Sequence, residues 1–224
     1  MTCSIVARCP RTNQFGVAAT TAVPAVGKLL THAAPNAGAI ATQARLNPYL
    51  GIDGMRFLEQ GYSARETLDR LIASDPRAQA RQVAVLDGNA DTAVWTGDEC
   101  LDWSGSIERA GYSVQGNRLA GPQVLDAMVA AFMKNPDASL DLRFIETLEA
   151  AIAAGGDREG EISATIFIMD TEEYPIWDIR ADHHRNPVKE LRRLHTVFAK
   201  EVLPEIRAMP TRAEPGGSEK EHQT

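Results

Sequence analysis

The chain has little with which to hold a polyanion. Its 224 residues carry 23 Lys and Arg against 30 Asp and Glu, a formal net charge of −7. No segment gathers a basic patch, which argues against a nucleic-acid partner. No apolar run approaches the roughly 18 residues that cross a bilayer, so no membrane partner is expected either. Cysteine is scarce. Cys3, Cys9 and Cys100 are an odd set without metal-type spacing, and Cys3 and Cys9 fall near the two ends of one predicted strand, too far apart to pair locally. A reduced, cytoplasmic protein is the expectation, with neither cofactor nor metal. No signal peptide or basic lead-in precedes the first predicted strand. No glycine loop of the Walker or Rossmann type is present, which counts against a nucleotide ligand.

What is present suffices for one large domain. Hydrophobic residues make up 44% of the chain and supply a core. Residues 2–8 and 14–21 read as a hairpin about Pro10-Arg11-Thr12-Asn13. The small residues of the second strand suit the close approach of another layer. Gly38 to Ala44 is a third strand. Two helices follow, the second with a capping box of Ser63 and Glu66 and an apolar stripe at Leu68, Leu71 and Ile72. A hairpin about Gly88–Asp91 and two shorter strands, near 104–109 and 112–116, lead to a second helix pair stopped by Gly155-Gly156. Ile162 to Met169 is apolar on both faces and should be a central, covered strand. Tyr174 to Arg180 pairs with it. The last helix opens at Pro187 and should bury Val188, Leu191, Leu194, Phe198 and Val202. The order predicts an α+β fold, two antiparallel sheets with helices outside, over residues 1–208. The Pro-, Gly- and Glu-rich stretch 209–224 is expected to be a disordered tail.

The chemistry centres on the first strand. Removal of Met1 would leave Thr2 carrying a hydroxyl nucleophile and an α-amine on one residue. An α-amine has an ordinary pKa near 8 and can act as base for its own hydroxyl. Cys3 is intrinsically the better nucleophile, but it is not terminal and should point to the opposite sheet face. Gln43, Asn47, Gln115 and Asn117 are amides beside small residues at strand ends. They can donate to an oxyanion or a substrate carbonyl, or they can satisfy loop backbone. Asp178, Arg180, Asp182 and His184 alternate, so an extended chain would project them to one side. Asp182, His183 and His184 could then hold a divalent metal, or the set could be a charged network about Arg180. Lys28 is an exposed amine or a proton carrier.

Several of these segments, taken together, resemble the domain of unknown function 1028 family. They are Thr2-Cys3-Ser4-Ile5-Val6-Ala7-Arg8, Pro24-Ala25-Val26-Gly27, Ala41-Thr42-Gln43-Ala44 with Asn47-Pro48, Arg81-Gln82-Val83, Val114-Gln115-Gly116-Asn117 with Leu119-Ala120-Gly121, Gly155-Gly156-Asp157-Arg158, and Asp178-Ile179-Arg180 with Asp182 and His184. The resemblance runs from about residue 1 to 195. It implies a four-layer αββα sandwich of the N-terminal-nucleophile (Ntn) hydrolase-like superfamily; a small-molecule substrate is the expectation. It does not carry an established substrate. By analogy with threonine-type members, Thr2 is the nucleophile, Asp157 orients or charge-stabilises its ammonium and Ser163 bonds nearby; Asn117, beside Gly116, is the amide favoured for the oxyanion. Gln43, Asn47, Gln115, Arg158 and Arg180 are the candidate substrate contacts. Alternatively, Asp157 is held in a loop ion pair. The chain departs from the family pattern at Cys3, at Thr21-Ala22-Val23, and at Glu161 and Ile162. The expectation is therefore a homodimeric amide hydrolase. The alternatives are a non-catalytic binding module on the same sandwich and, third, a metal-dependent hydrolase about Asp182 and His184.

Overall fold

Alternation along the first strand sorts its side chains between two environments, and the rest of the architecture follows. In a computed structural model of the protein, which describes residues 2–218, β1 (Thr2–Arg8) pairs antiparallel with β2 (Phe15–Thr21). Cys3, Ile5 and Ala7 point into an apolar cluster with residues of the helices. Val6 joins Val17 and Ala19 in a second cluster on the other face. The period of two thus separates a helix-facing side from a sheet-facing side.

The next elements are β3 (Thr31–Ala34), β4 (Gly38–Ala44), α1 (Pro48–Glu59), α2 (Ala64–Ser74), β5 (Arg81–Asp87), β6 (Thr92–Thr96), β7 (Gly105–Arg109) and β8 (Tyr112–Asn117). They are followed by α3 (Gln123–Lys134), α4 (Leu140–Ala153), β9 (Ser163–Met169), β10 (Pro175–Ala181), α5 (Pro187–Glu201) and the short α6 (Leu203–Ile206). One sheet has six strands in the order β10-β9-β2-β1-β8-β7, and the other has four, β3-β4-β5-β6. Every pairing is antiparallel.

Three apolar clusters define four layers. Phe132, Phe144, Leu148 and Leu191 of α3, α4 and α5 cover the outer face of the larger sheet. Leu50, Leu58, Leu68 and Leu71 of α1 and α2 cover Ile40, Val83 and Val85 of the smaller one. Between the sheets lie Phe15, Val17, Ala39, Ala41, Ala84 and Leu86. The expected αββα sandwich of two antiparallel sheets is the fold. Small residues in β2 do admit a close layer: a Cβ on Gly16 would come 2.8 Å from the Phe144 ring. Burying a phenylalanine such as Phe144 contributes about 2–3 kcal/mol.

The capping box at α2 forms, with Ser63 Oγ accepting from Glu66 N at 3.3 Å and Glu66 Oε2 accepting from Ser63 N at 3.0 Å. Gly155, at φ 113°, and Gly156, at φ 48°, turn the chain after α4. Five details differ from the sequence reading. β3 and α6 were not expected. The last long helix ends at Glu201, which leaves Val202 39% exposed. Ile162 precedes β9 rather than belonging to it. β10 stops at Ala181, so Asp182, His183 and His184 do not continue the strand alternation. In the 209–224 stretch, Tyr174 donates to Pro210 O at 3.0 Å and Arg212 pairs with Glu173; residues 219–224 lie outside those described.

Candidate active site

Thr2 opens the central strand of the larger sheet. It faces the smaller sheet, as Ser4 does two residues on, and is 5% exposed. Its register partners are Thr21 on β2 and Asn117 on β8. The Thr2 hydroxyl donates to Thr21 Oγ1 at 3.2 Å.

The turn between α4 and β9 spans this end of the sheet, tied to the strands on either side of β1. On the β8 side, Ala120 N donates to Gly156 O at 3.0 Å and Arg158 N to Arg118 O at 3.3 Å. On the β2 side, Ile162 N donates to Thr21 O at 2.8 Å. Asp157 sits in the middle of this turn. Its Oδ2 accepts from Ala22 N at 3.3 Å, its Oδ1 from Glu159 N at 2.9 Å, and its own N–H donates to Glu161 Oε1 at 2.8 Å. The loop ion pair considered for Asp157 is absent among the described residues; the pair that forms in this turn joins Arg118 to Glu159.

Burial pushes the Asp157 carboxyl above its ordinary range, against the Ala22 N–H and the Arg118 charge, which favour its ionised form. Burial pushes Glu161 up as well, and the Asp157 charge adds to it. Burial together with the Glu161 and Asp157 charges raises the Cys3 thiol far out of the physiological range. Cys3 is therefore a neutral packing residue on the helix-facing side. The Ala22 N–H bond to Asp157 and the bridge between Asp157 and Leu119 set this turn beside the strands that flank Thr2.

A chain of buried amides and hydroxyls runs from this end between the sheets. Ser113 Oγ donates to Gln115 Oε1 at 3.0 Å, Gln115 Nε2 to Ser4 Oγ at 2.6 Å, and Ser4 Oγ to Gln43 Oε1 at 2.7 Å. Gln43 Nε2 then donates to Gln82 Oε1 at 2.7 Å, where Asn117 Nδ2 also donates at 3.1 Å. Gln82 Nε2 donates across the interface to Gly116 O at 2.9 Å and Gly105 O at 3.1 Å. Asn117 gives one N–H to this chain and has a second to offer. Gly116 does not open backbone access to it: a Cβ there would strike Leu119 at 2.5 Å, so the glycine makes room for core packing.

Of the residues singled out from sequence, Thr2, Asn117 and Asp157 meet at one end of the sandwich, with Gln43 and Gln115 reaching it through the buried chain. Ser163 lies opposite Thr21, two strands from β1, about 10 Å away by strand spacing. Its hydroxyl donates to Val23 O at 2.6 Å and accepts from Val26 N at 3.1 Å, which fixes the loop after β2. Asn47 caps α1, accepting from Tyr49 N at 3.1 Å and donating to Asp75 Oδ2 at 2.9 Å. Arg158 points to solvent. Arg180 is on β10, three strands from β1, with Asp178 at 3.7 Å. Lys28 is exposed at the 3-10 turn Val26–Lys28. His184 Nδ1 accepts from Asn186 N at 3.1 Å. Among the described residues no three His, Cys, Asp or Glu side chains gather as a metal site, which corrects the reading of Asp182, His183 and His184 as a ligand set. No helix among them is long and apolar enough to cross a membrane.

Sequence reasoning missed Gln82 and Glu161 as parts of this end. Gln82 was visible as an amide alternating with apolar residues in β5. Its role needed the stacking of the two sheets.

Residues 2–191 match the model of the Family of unknown function (DUF1028). The crystal structure of a Silicibacter pomeroyi protein of that family is similar at a TM-score of 0.89 and 28% identity, covering 98% of this chain and 99% of that one. Thiobacillus denitrificans BPH in complex with epoxomicin has a TM-score of 0.42 at 12% identity over 77% of this chain and 100% of its own. Anbu (ancestral beta-subunit) from Yersinia bercovieri has 0.41 at 11% over 89% and 97%. No curated protein matches. With the match running from β1 into α5, the chain belongs to the family of unknown function DUF1028.

Proposed function

We propose that the protein is an N-terminal-nucleophile hydrolase that cleaves an amide C–N bond of a small molecule through Thr2 after Met1 removal. The observation that carries this reading is the convergence of Thr2, Asn117 and Asp157 at one end of the central strand. In the reaction the Thr2 hydroxyl oxygen bonds to the amide carbonyl carbon, and the freed α-amine takes the hydroxyl proton. The C–N bond breaks as that proton passes to the leaving amine. Water then attacks the threonyl ester, returning the hydroxyl and releasing the acid. The spare N–H of Asn117, on the strand paired with Thr2, is the donor assigned to the carbonyl oxygen as it gains charge. The Asp157 carboxylate lies close enough to the strand start to stabilise the ammonium form of the amine.

The test joins intact mass with turnover. Active protein is expected to lack Met1, and Thr2→Ala to lose at least about a thousandfold in kcat across a panel of small amides while keeping its Tm. Retained Met1 in active protein, or unchanged turnover in Thr2→Ala, would overturn the proposal.

A further inference from the structure

One strand from Thr2, a cavity of about 390 Å³ opens between the ends of the two sheets, lined by Ala44, Arg45, Arg77, Glu99, Asn117 and Arg118 among others. Asn117 is both a wall of this cavity and the register partner of Thr2, which puts the two Cα atoms about 5 Å apart. Asn117 thus joins the cavity to the strand that starts at Thr2.

In a chain of net negative charge this wall is basic. Arg118 pairs with Glu159, whereas neither Arg45 nor Arg77 has a carboxylate within 4.0 Å among the described residues. With Glu99 on the same rim, three guanidinium groups face two carboxylates, which leaves one net positive charge.

The backbone beneath both free arginines is fixed from inside. Buried Asp75 accepts from Arg77 N at 2.9 Å and pairs with Arg81 at 2.8 Å, and Arg81 Nη1 donates to Arg45 O. Arg45 N donates to Ala80 O at 3.1 Å. Ala44, at φ 66°, and Arg118, at φ 56°, both hold left-handed backbone at this wall. Non-glycine residues keep that conformation only where the surroundings impose it.

We infer that this cavity binds a single carboxylate on the amide substrate, with Arg45 and Arg77 gripping it beside Thr2. The substrate class is then small amides that carry a free acid group, such as N-acyl amino acids. The inference rests on the Thr2 reading for the word substrate, but the binding does not depend on catalysis. One unbalanced positive charge fits a monoanion better than a phosphate dianion, and the guanidinium fork fits a carboxylate bidentately.

The test is calorimetric titration of the full chain with N-acetylglycine, neutral N-acetylglycinamide and N-acetyl aminomethylphosphonate. N-acetylglycine is expected to bind at least about tenfold more tightly than the amide. In the exposed double variant R45Q/R77Q that preference should vanish with Tm unchanged, and in Thr2→Ala it should persist. Equal binding of acid and amide, no binding of the acid up to about 10 mM, a preference surviving in R45Q/R77Q, or tighter binding of the phosphonate would each overturn the inference. If Thr2→Ala still turns over substrate while the preference holds, the nucleophile reading falls and the carboxylate site stands.

Discussion

Glu161 and Asp157 make the start of β1 a place where protons are held more tightly than usual, since burial raises both carboxyls. An acid whose folded pKa exceeds its unfolded value binds more protons when folded. Its contribution to stability is complete below the unfolded value, 4.5 for Glu161, and is lost as pH rises through the folded one. Glu161→Gln keeps an oxygen to accept the Asp157 N–H and removes the charge. Its urea midpoint, relative to the unsubstituted protein, should therefore rise between about pH 4 and pH 7. A difference that is flat or falls over that range would contradict this account of the turn. Thr2 and Asp157 were legible in the sequence because a strand start and a double-glycine stop are local signals. Glu161 entered the sequence reading only as a departure from the family pattern, because its effect depends on a turn lying across the end of a sheet.

At the scale of elements, one buried carboxylate secures the join between the α1–α2 pair and β5. Asp75 follows α2 and holds Asn47, the cap of α1, together with Arg81, the first residue of β5. Burial opposes its charge, but the N–H groups of Arg81, Asn47 and Arg77 outweigh it and hold the carboxyl down to about 2. Removing one member of a buried pair leaves the other unbalanced, so Asp75→Ala should lower unfolding stability by about 3 kcal/mol at pH 7. Because the folded pKa is depressed, the stability Asp75 supplies is present above its ordinary value of 3.8 and disappears as pH falls toward 2. Urea denaturation of the two proteins should converge over that interval; a gap that persists at pH 2 would assign the loss to packing instead. Asn47→Ala should cost about 1 kcal/mol through the lost cap, measured in the same way. The five longer helices and nine of the strands follow from periodicity and punctuation in the sequence, the Ser63 box most directly. β3 does not. Thr31–Ala34 is a short stretch without strong strand preference, and it is extended because it completes the edge beside β4. α6 is a single turn with Pro204 near its start, and nothing in its pattern separates it from a loop.

The two sheets are joined by polar groups at one end and apolar ones at the other, and that asymmetry is a property of the whole molecule. Phe15, Val17, Leu86 and their neighbours fill the far half of the interface, while Ser4, Gln43, Gln82, Gln115 and Asn117 fill the half at the Thr2 end. Gln43 and Gln115 could be named from the sequence as amides at strand ends. Their partners could not, because the contacts join residues of different sheets, such as Ser4 and Gln43, which only sheet stacking brings together. Gln82 is the node, since it accepts from Gln43 and Asn117 and donates to carbonyls of the opposite sheet. Gln82→Ala leaves several buried groups without partners and should cost about 3 kcal/mol or more. Gln82→Glu tests the direction of the bonds. The glutamate can still accept from Gln43 and Asn117, but toward Gly105 O and Gly116 O it presents a carboxylate where an N–H₂ stood. It can donate there only when protonated, which raises its folded pKa above the unfolded value. The stability of Gln82→Glu should then fall, relative to the unsubstituted protein, as pH rises from about 5 to 8. A urea midpoint difference that does not change over that range would mean that Gln82 turns its oxygen, not its nitrogen, toward the opposite sheet, and the Asn117 amide bonded to it would have to be turned as well.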